Sequence, residues 1–188
     1  MKNIIIFASG NGTNAENICK YFERNAEVKI KALFCNNAHA KVIEKMKQFN
    51  IPVHLFTKKE FTDESAFLPL IKQYKPSLIV LAGFLWLVPK YLINNFKNRI
   101  INIHPALLPK HRGKGMYGHH VHESVLNANE NEHGITIHFV DENFDEGKPL
   151  FQKSFVIEKD DDIHSVTKKI AQLEMKYFPE VIEQLLTK

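Results

Sequence analysis

Asn102 and His104 stand one residue apart in the run Ile-Ile-Asn-Ile-His-Pro at 100–105. An extended strand turns alternate side chains to opposite faces. Asn102 and His104 therefore share one face, and Ile101 and Ile103 the other. Pro105 cannot donate to a sheet ladder, so the strand is expected to end there. The pattern sets an amide and an imidazole side by side at the carboxyl end of a strand, where open α/β sheets bind ligands. An amide N–H and a ring N–H aimed at one point can stabilise the oxyanion that forms when a carbonyl carbon is attacked. Pro109, Gly113 and Gly115 then interrupt a stretch carrying Lys110, His111, Arg112 and Lys114. That composition predicts a mobile basic loop over the same point.

A second stretch, Ser-Gly-Asn-Gly-Thr-Asn at 9–14, follows an apolar run at 3–8 and precedes a helical pattern over 15–25. A strand, a glycine turn and a helix bring backbone N–H groups and the helix dipole to one anion. The spacing is G-x-G-x-N, which is neither a complete dinucleotide fingerprint nor a phosphate-binding G-K-[ST] loop. No acidic residue ends the second strand, so one phosphate fits better than a dinucleotide; a plain tight turn is the alternative. A third stretch, residues 83–89, carries Phe84, Leu85, Trp86, Leu87 and Val88. It reads either as core filling or as the wall of a pocket for a flat aromatic ligand.

These stretches need a scaffold, and the apolar periodicities supply one. Strands are predicted at 3–8, 28–35, 52–56, 77–82, 100–104, 134–140 and 149–157. Helices are predicted at 15–25, 40–49, from 62–63 to 74, 89–96, 118–127 and 163–186. Pro69 should kink the third of these or mark a late start. The short acidic turn at 141–147 makes the last two strands an antiparallel hairpin. The order predicts a single α/β domain over 1–188, with a doubly wound, mostly parallel sheet, helices on both faces and an antiparallel edge hairpin.

Composition narrows the ligand. The 188 residues are 44% hydrophobic and 24% charged, which excludes a disordered chain. A net charge of +4 suits a small anionic ligand. The lysines are scattered, without a basic stripe interleaved with aromatics, so no nucleic acid is expected. The apolar run at 4–8 is too short for a membrane span or a signal-peptide core, so no membrane is expected either. Cys19 and Cys35 have no C-x-x-C spacing, which predicts free thiols and a cytoplasmic location.

Two other readings compete. His119, His120, His122 and Glu123 lie close in sequence, with His104 and His111 as further ligands, which would suit a metal-dependent hydrolase. No H-E-x-x-H spacing is present, so no metal is expected. A non-catalytic nucleotide-binding module is the other, because fold alone does not fix function.

Three segments together carry a resemblance: residues 9–14, Asn-Ile-His-Pro-Ala-Leu-Leu-Pro at 102–109, and His138-Phe139-Val140 followed by Asp145-Glu146-Gly147. In this order they resemble the glycinamide ribonucleotide transformylases, a family of the folate-dependent formyltransferase superfamily. The likeness spans essentially the whole chain. It implies formyl transfer from 10-formyltetrahydrofolate, as co-substrate, to the primary amine of glycinamide ribonucleotide in purine biosynthesis, without a metal. It implies that Asn102, His104 and Asp145 form the catalytic set. A carboxylate near an imidazole favours its charged form, so Asp145 is expected to keep His104 protonated near neutrality. Gly10, Asn11, Gly12, Thr13 and Asn14 would hold the substrate phosphate, and Glu174 the ribose hydroxyls. Leu85, Trp86, Leu87, Val88, Val140, Asp141 and Asp145 would hold the folate. Trp86 stands where Arg is frequent in the family. Methionyl-tRNA formyltransferases would need an added tRNA-binding domain, for which 188 residues leave no room. A monomer and a homodimer are both compatible with the sequence.

Overall fold

The computed structural model describes residues 1–187. The chain runs β1 (Lys2–Ala8), α1 (Thr13–Phe22), β2 (Val28–Cys35), α2 (Val42–Lys47), β3 (Val53–Leu55), α3 (Lys58–Thr62) and α4 (Glu64–Lys72). It continues through β4 (Leu78–Leu81), α5 (Lys90–Asn95), β5 (Ile100–His104), α6 (His119–Asn127), β6 (Glu132–Phe139), β7 (Pro149–Val156) and α7 (Ile163–Thr187).

All seven strands form one sheet in the order β3-β2-β1-β4-β5-β6-β7. The first five strands are parallel, and β6 and β7 are antiparallel. β1 is central because Ile4, Ile5, Ile6, Phe7 and Ala8 are apolar on both faces, and all are buried. The chain winds outward from β1 in both directions, so β1 and β4 flank the topological switch point. Their following loops are tied together there: Ser9 N–H donates to the Gly83 carbonyl at 3.0 Å, and Leu85 N–H to Ser9 Oγ at 3.1 Å.

Alternation along the strands builds two cores. Ile4, Ile6, Ile101, Ile103, Ile135 and Ile137 face α1 and α7, where Ile18, Phe178 and Ile182 complete the layer. Ile5, Phe7, Phe34, Ile79 and Leu81 face α3 and α4, which contribute Phe61, Phe67 and Ile71. Phe7 is the hub of this second layer. Its ring stacks on Phe34 with centroids 5.0 Å apart and meets Phe84 edge-on at 5.3 Å.

The predicted fold class is the one observed. The helix expected from 62–63 to 74 differs, because a separate helix precedes it. Thr57 and Glu60 form a reciprocal capping box that starts α3, and Asp63 then caps α4 through the N–H groups of Ser65 and Ala66. Pro69 lies inside α4 without ending it. α2 is shorter than the predicted 40–49.

Replacing Phe7 with Ala would leave a void inside this layer. It should cost about 3–5 kcal/mol of folding free energy, measured by equilibrium denaturation. A loss below about 1 kcal/mol would contradict the role given to Phe7.

Candidate active site

The site begins with strand register. β5 and β6 pair so that Asn102 lies opposite His138, and His104 opposite Thr136. All four side chains therefore leave one face of the sheet. Asp145 returns to that face from the turn after β6, with φ at +55°, a backbone state uncommon for residues other than glycine. Asn102 Nδ2 donates to Asp145 Oδ1 at 3.2 Å and contacts His138 Nε2 at 3.2 Å. His104 Nδ1 lies 3.5 Å from Asp145 Oδ2, and His138 Nε2 lies 3.5 Å from Asp145 Oδ1. A carbonyl can only accept, so His138 places its Nδ1 proton on the Phe139 carbonyl at 2.8 Å. His104 likewise donates Nε2–H to the His111 carbonyl at 2.8 Å.

The electrostatics correct one expectation. His104 is 3% exposed. Burial is the largest influence and pushes its imidazolium below the ordinary histidine range; the Asp145 carboxylate pulls upward without prevailing. Burial thus works against the protonated ring that the Asp145 carboxylate alone was expected to hold. Burial also raises the Asp145 carboxyl, but the His138 and His104 rings and the Gly113 N–H outweigh it, and Asp145 stays ionised.

A cavity of about 1120 Å³ opens over this group. Asn102, His104, His138 and Asp145 all line it. One wall comes from Gly10, Asn11, Asn14, Thr167, Ile170, Ala171 and Glu174. The opposite wall is Phe84, Leu85, Trp86, Leu87, Val88 and Val140, so the 83–89 stretch serves a pocket as well as the core. The Lys58 ammonium sits 4.8 Å from the Trp86 ring centroid and also faces the cavity. Asn14 Nδ2 donates to Glu174 Oε2 at 2.9 Å across 160 residues of chain. Burial pushes the Glu174 carboxyl up to about 7, and the Asn14 hydrogen bond only partly offsets it.

Three expected residues do not reach the cavity wall. Gly12 caps α1 at φ +71°, where an added Cβ would fall 2.3 Å from Val42 Cγ2. Gly12 thus holds the turn through its backbone, because only glycine fits both the angle and the space. Thr13 is the exposed first residue of α1. Asp141 turns inward on its own loop and accepts the Asn143 N–H at 3.0 Å.

The basic loop is also less free than its composition suggests. Lys110 pairs with Glu130 at 2.8 Å and Arg112 with Glu146 at 3.4 Å. Lys114 alone of the three lines the cavity, beside Gly113, Gly115, Met116 and Tyr117. Only part of the histidine-rich group converges. His119, His120 and Glu123 cluster on the exposed surface, with ligand atoms within 4.8 Å of one another, while His122 is buried.

His138 and Lys58 belong to the site but escape a reading of local pattern. Period-two alternation from Thr136 gives His138 its face, yet only the β5–β6 register sets it against Asn102. Lys58 arrives through the capping box of α3.

A doubly wound sheet with an amide, two imidazoles and a carboxylate lining a cavity at its carboxyl edge has the architecture of an α/β enzyme. Comparison with known proteins agrees. The formyl transferase family model matches residues 2–182. The chain is 37% identical to phosphoribosylglycinamide formyltransferase of Bacillus subtilis, over 99% of this chain and 95% of that protein. It is 31% identical to phosphoribosylglycinamide formyltransferase of Escherichia coli, over 96% of this chain and 85% of that one. The crystal structure of phosphoribosylglycinamide formyltransferase from Bacillus halodurans superposes with a TM-score of 0.89 at 34% identity, covering 100% of this chain and 96% of that chain. The chain belongs to the phosphoribosylglycinamide formyltransferase family, within the formyl transferases.

Glu174 makes a test of the cavity's cost. A carboxyl raised by burial is penalised only where the unfolded chain would ionise it, so the penalty is absent below pH ~4.5 and complete above pH ~7. Glu174→Gln should therefore stabilise the free protein by about 1–3 kcal/mol at pH 8, a gain of roughly 2–10 °C in Tm, and by little at pH 4. Differential scanning fluorimetry at the two pH values checks it; equal effects would contradict the assignment.

Proposed function

We propose that the protein transfers a formyl group from 10-formyltetrahydrofolate to the primary amine of glycinamide ribonucleotide, a step of purine biosynthesis. The observation that carries this reading is the convergence of Asn102, His104 and Asp145 on one cavity, from positions up to 43 residues apart. The two walls divide the work. Asn11, Asn14 and the free N–H groups that open α1 take the phosphate, and Glu174 the ribose hydroxyls. Residues 84–88 and Val140 supply the apolar slot for the pterin. Lys58 and Lys114 are the cations available to the donor's carboxylates.

Chemically, the amine attacks the formyl carbon, and the carbonyl oxygen becomes an oxyanion. His104 supplies a ring N–H to that oxygen and Asn102 an amide N–H; each such donor contributes on the order of 3–4 kcal/mol in a dry site. The forming negative charge counteracts burial and raises the affinity of His104 for a proton. Asp145 accepts the proton shed by the attacking ammonium-like nitrogen and passes it toward the leaving folate nitrogen. Holding both substrates in one cavity removes most of the entropic cost of their encounter. The group works as small-molecule chemistry, and no nucleic acid or membrane partner enters it. No helix among the described residues is long and apolar enough to cross a membrane. Cys19 and Cys35 are buried free thiols, in keeping with a cytoplasmic setting.

His104→Ala and Asp145→Asn should each lower kcat by roughly 10²–10⁴-fold while both substrates still bind. A formyl-transfer assay beside calorimetric titration with glycinamide ribonucleotide checks this, and near wild-type turnover in either variant would overturn the proposal. Lys114→Ala should raise a Michaelis constant more than Arg112→Ala does, because Glu146 already pairs with Arg112. Equal effects of the two would remove Lys114 from substrate binding.

A further inference from the structure

We propose that His122 is a hydrogen-bond donor to the acceptor nucleotide, held in its donating tautomer by the buried His133. This deepens the reading of the site given above and rests on it.

His122 lies in the first turns of α6 and is 4% exposed, yet it lines the cavity. α6 packs against α7, so His122 belongs to the wall that carries Glu174 and Asn14. Its Nδ1 lies 2.9 Å from Nε2 of His133, a residue of β6 that is 1% exposed. The other nitrogen of His133, Nδ1, is buried with no partner. Burial pushes both rings below the ordinary histidine range, His133 to about 4, so the pair is neutral and shares one proton across the contact.

Two arrangements of that proton are possible. If His122 donated, the second proton of the pair would sit on His133 Nδ1, as an N–H sealed away from any acceptor. Orphaned buried N–H groups are rare because they forfeit a full hydrogen bond. If His133 donates instead, its Nδ1 is bare, and an unpaired lone pair is the milder defect. His122 Nδ1 then accepts, and the proton of His122 must sit on Nε2. No protein group among the described residues hydrogen-bonds that Nε2, and the ring borders the cavity. The N–H is therefore available to an acceptor oxygen of the bound nucleotide. His133 touches no substrate and is a positioning residue, because it acts by choosing the tautomer of His122.

Long-range ¹H–¹⁵N correlation spectra of the histidine-labelled full-length protein read the tautomer directly. We expect His122 to carry its proton on Nε2 in the free wild type; a proton on Nδ1 would overturn the proposal without any variant. His122→Leu should raise KM for glycinamide ribonucleotide about three- to tenfold and leave KM for 10-formyltetrahydrofolate unmoved. His133→Phe should mix the two tautomers of His122 and raise the same KM. His133→Gln, which keeps an N–H to offer, should restore both readouts. An unchanged nucleotide KM in His122→Leu would sink this inference alone, whereas absence of turnover by the wild type would sink the parent reading.

Discussion

The antiparallel pairing of β5 with β6 is the constraint on which the site depends. It sets Asn102 against His138 and His104 against Thr136, and a slip of one residue would send those side chains into the opposite core. That slip is blocked from both faces. Ile101, Ile103, Ile135 and Ile137 are locked into the layer under α7. On the functional face, Thr136 Oγ1 donates to the Ala106 carbonyl at 2.7 Å and accepts the Leu108 N–H at 3.0 Å. Thr136 therefore pins the chain leaving β5 to the strand beside it. The geometry of the site is a by-product of a register that hydrophobic burial enforces.

Register alone would not keep Asp145 in place. Its left-handed backbone costs on the order of 1 kcal/mol, and its carboxylate is drawn out of water. Gly147 shows how tightly the return is drawn: a Cβ there would fall 1.7 Å from the Phe139 carbonyl oxygen. The turn can therefore close directly on the end of β6 and deliver the carboxylate to Asn102. Two imidazoles, one amide and the Gly113 N–H then replace the water that Asp145 loses. Because Gly113 belongs to the 110–118 loop, the loop that covers the cavity is also part of the shell that keeps the carboxylate charged.

Much of this was legible in residue order. The two-residue period at 100–104 assigned Asn102 and His104 to one face, and the proline after them assigned the strand end. The glycine turn at 9–14 and the apolar stretch at 83–89 were separable as local patterns, and the sheet order put both at the switch point. What local pattern could not supply was long-range pairing. His138 needs the β5–β6 register, Lys58 needs α3, and the Asn14–Glu174 contact needs α7 folded back on α1. The balance of influences on His104 is illegible in the sequence for a related reason. Proximity of a carboxylate can be inferred from motifs, but the depth of burial that opposes it is a property of the packed molecule.

The free site is closed upon itself, and that bears on how it would discriminate. His104 gives Nε2–H to a backbone carbonyl, and the Asn102 amide faces Asp145 and His138. A substrate carbonyl offers His104 an acceptor no better than the His111 carbonyl it already holds, so nothing favours the exchange in the ground state. An oxyanion is a far stronger acceptor, and hydrogen bonds to charged oxygen are roughly twice as strong as neutral ones. In the proposed reaction, the exchange would become favourable only as the tetrahedral species forms. A donor held by a neutral partner of the protein's own backbone thus binds the transition state in preference to the substrate, which is the condition for raising kcat rather than merely lowering KM. Under the proposed reaction, the loop carbonyl at His111 would belong to the catalytic device: it holds the Nε2 proton and orients the ring in the free protein, and would yield it to negative charge.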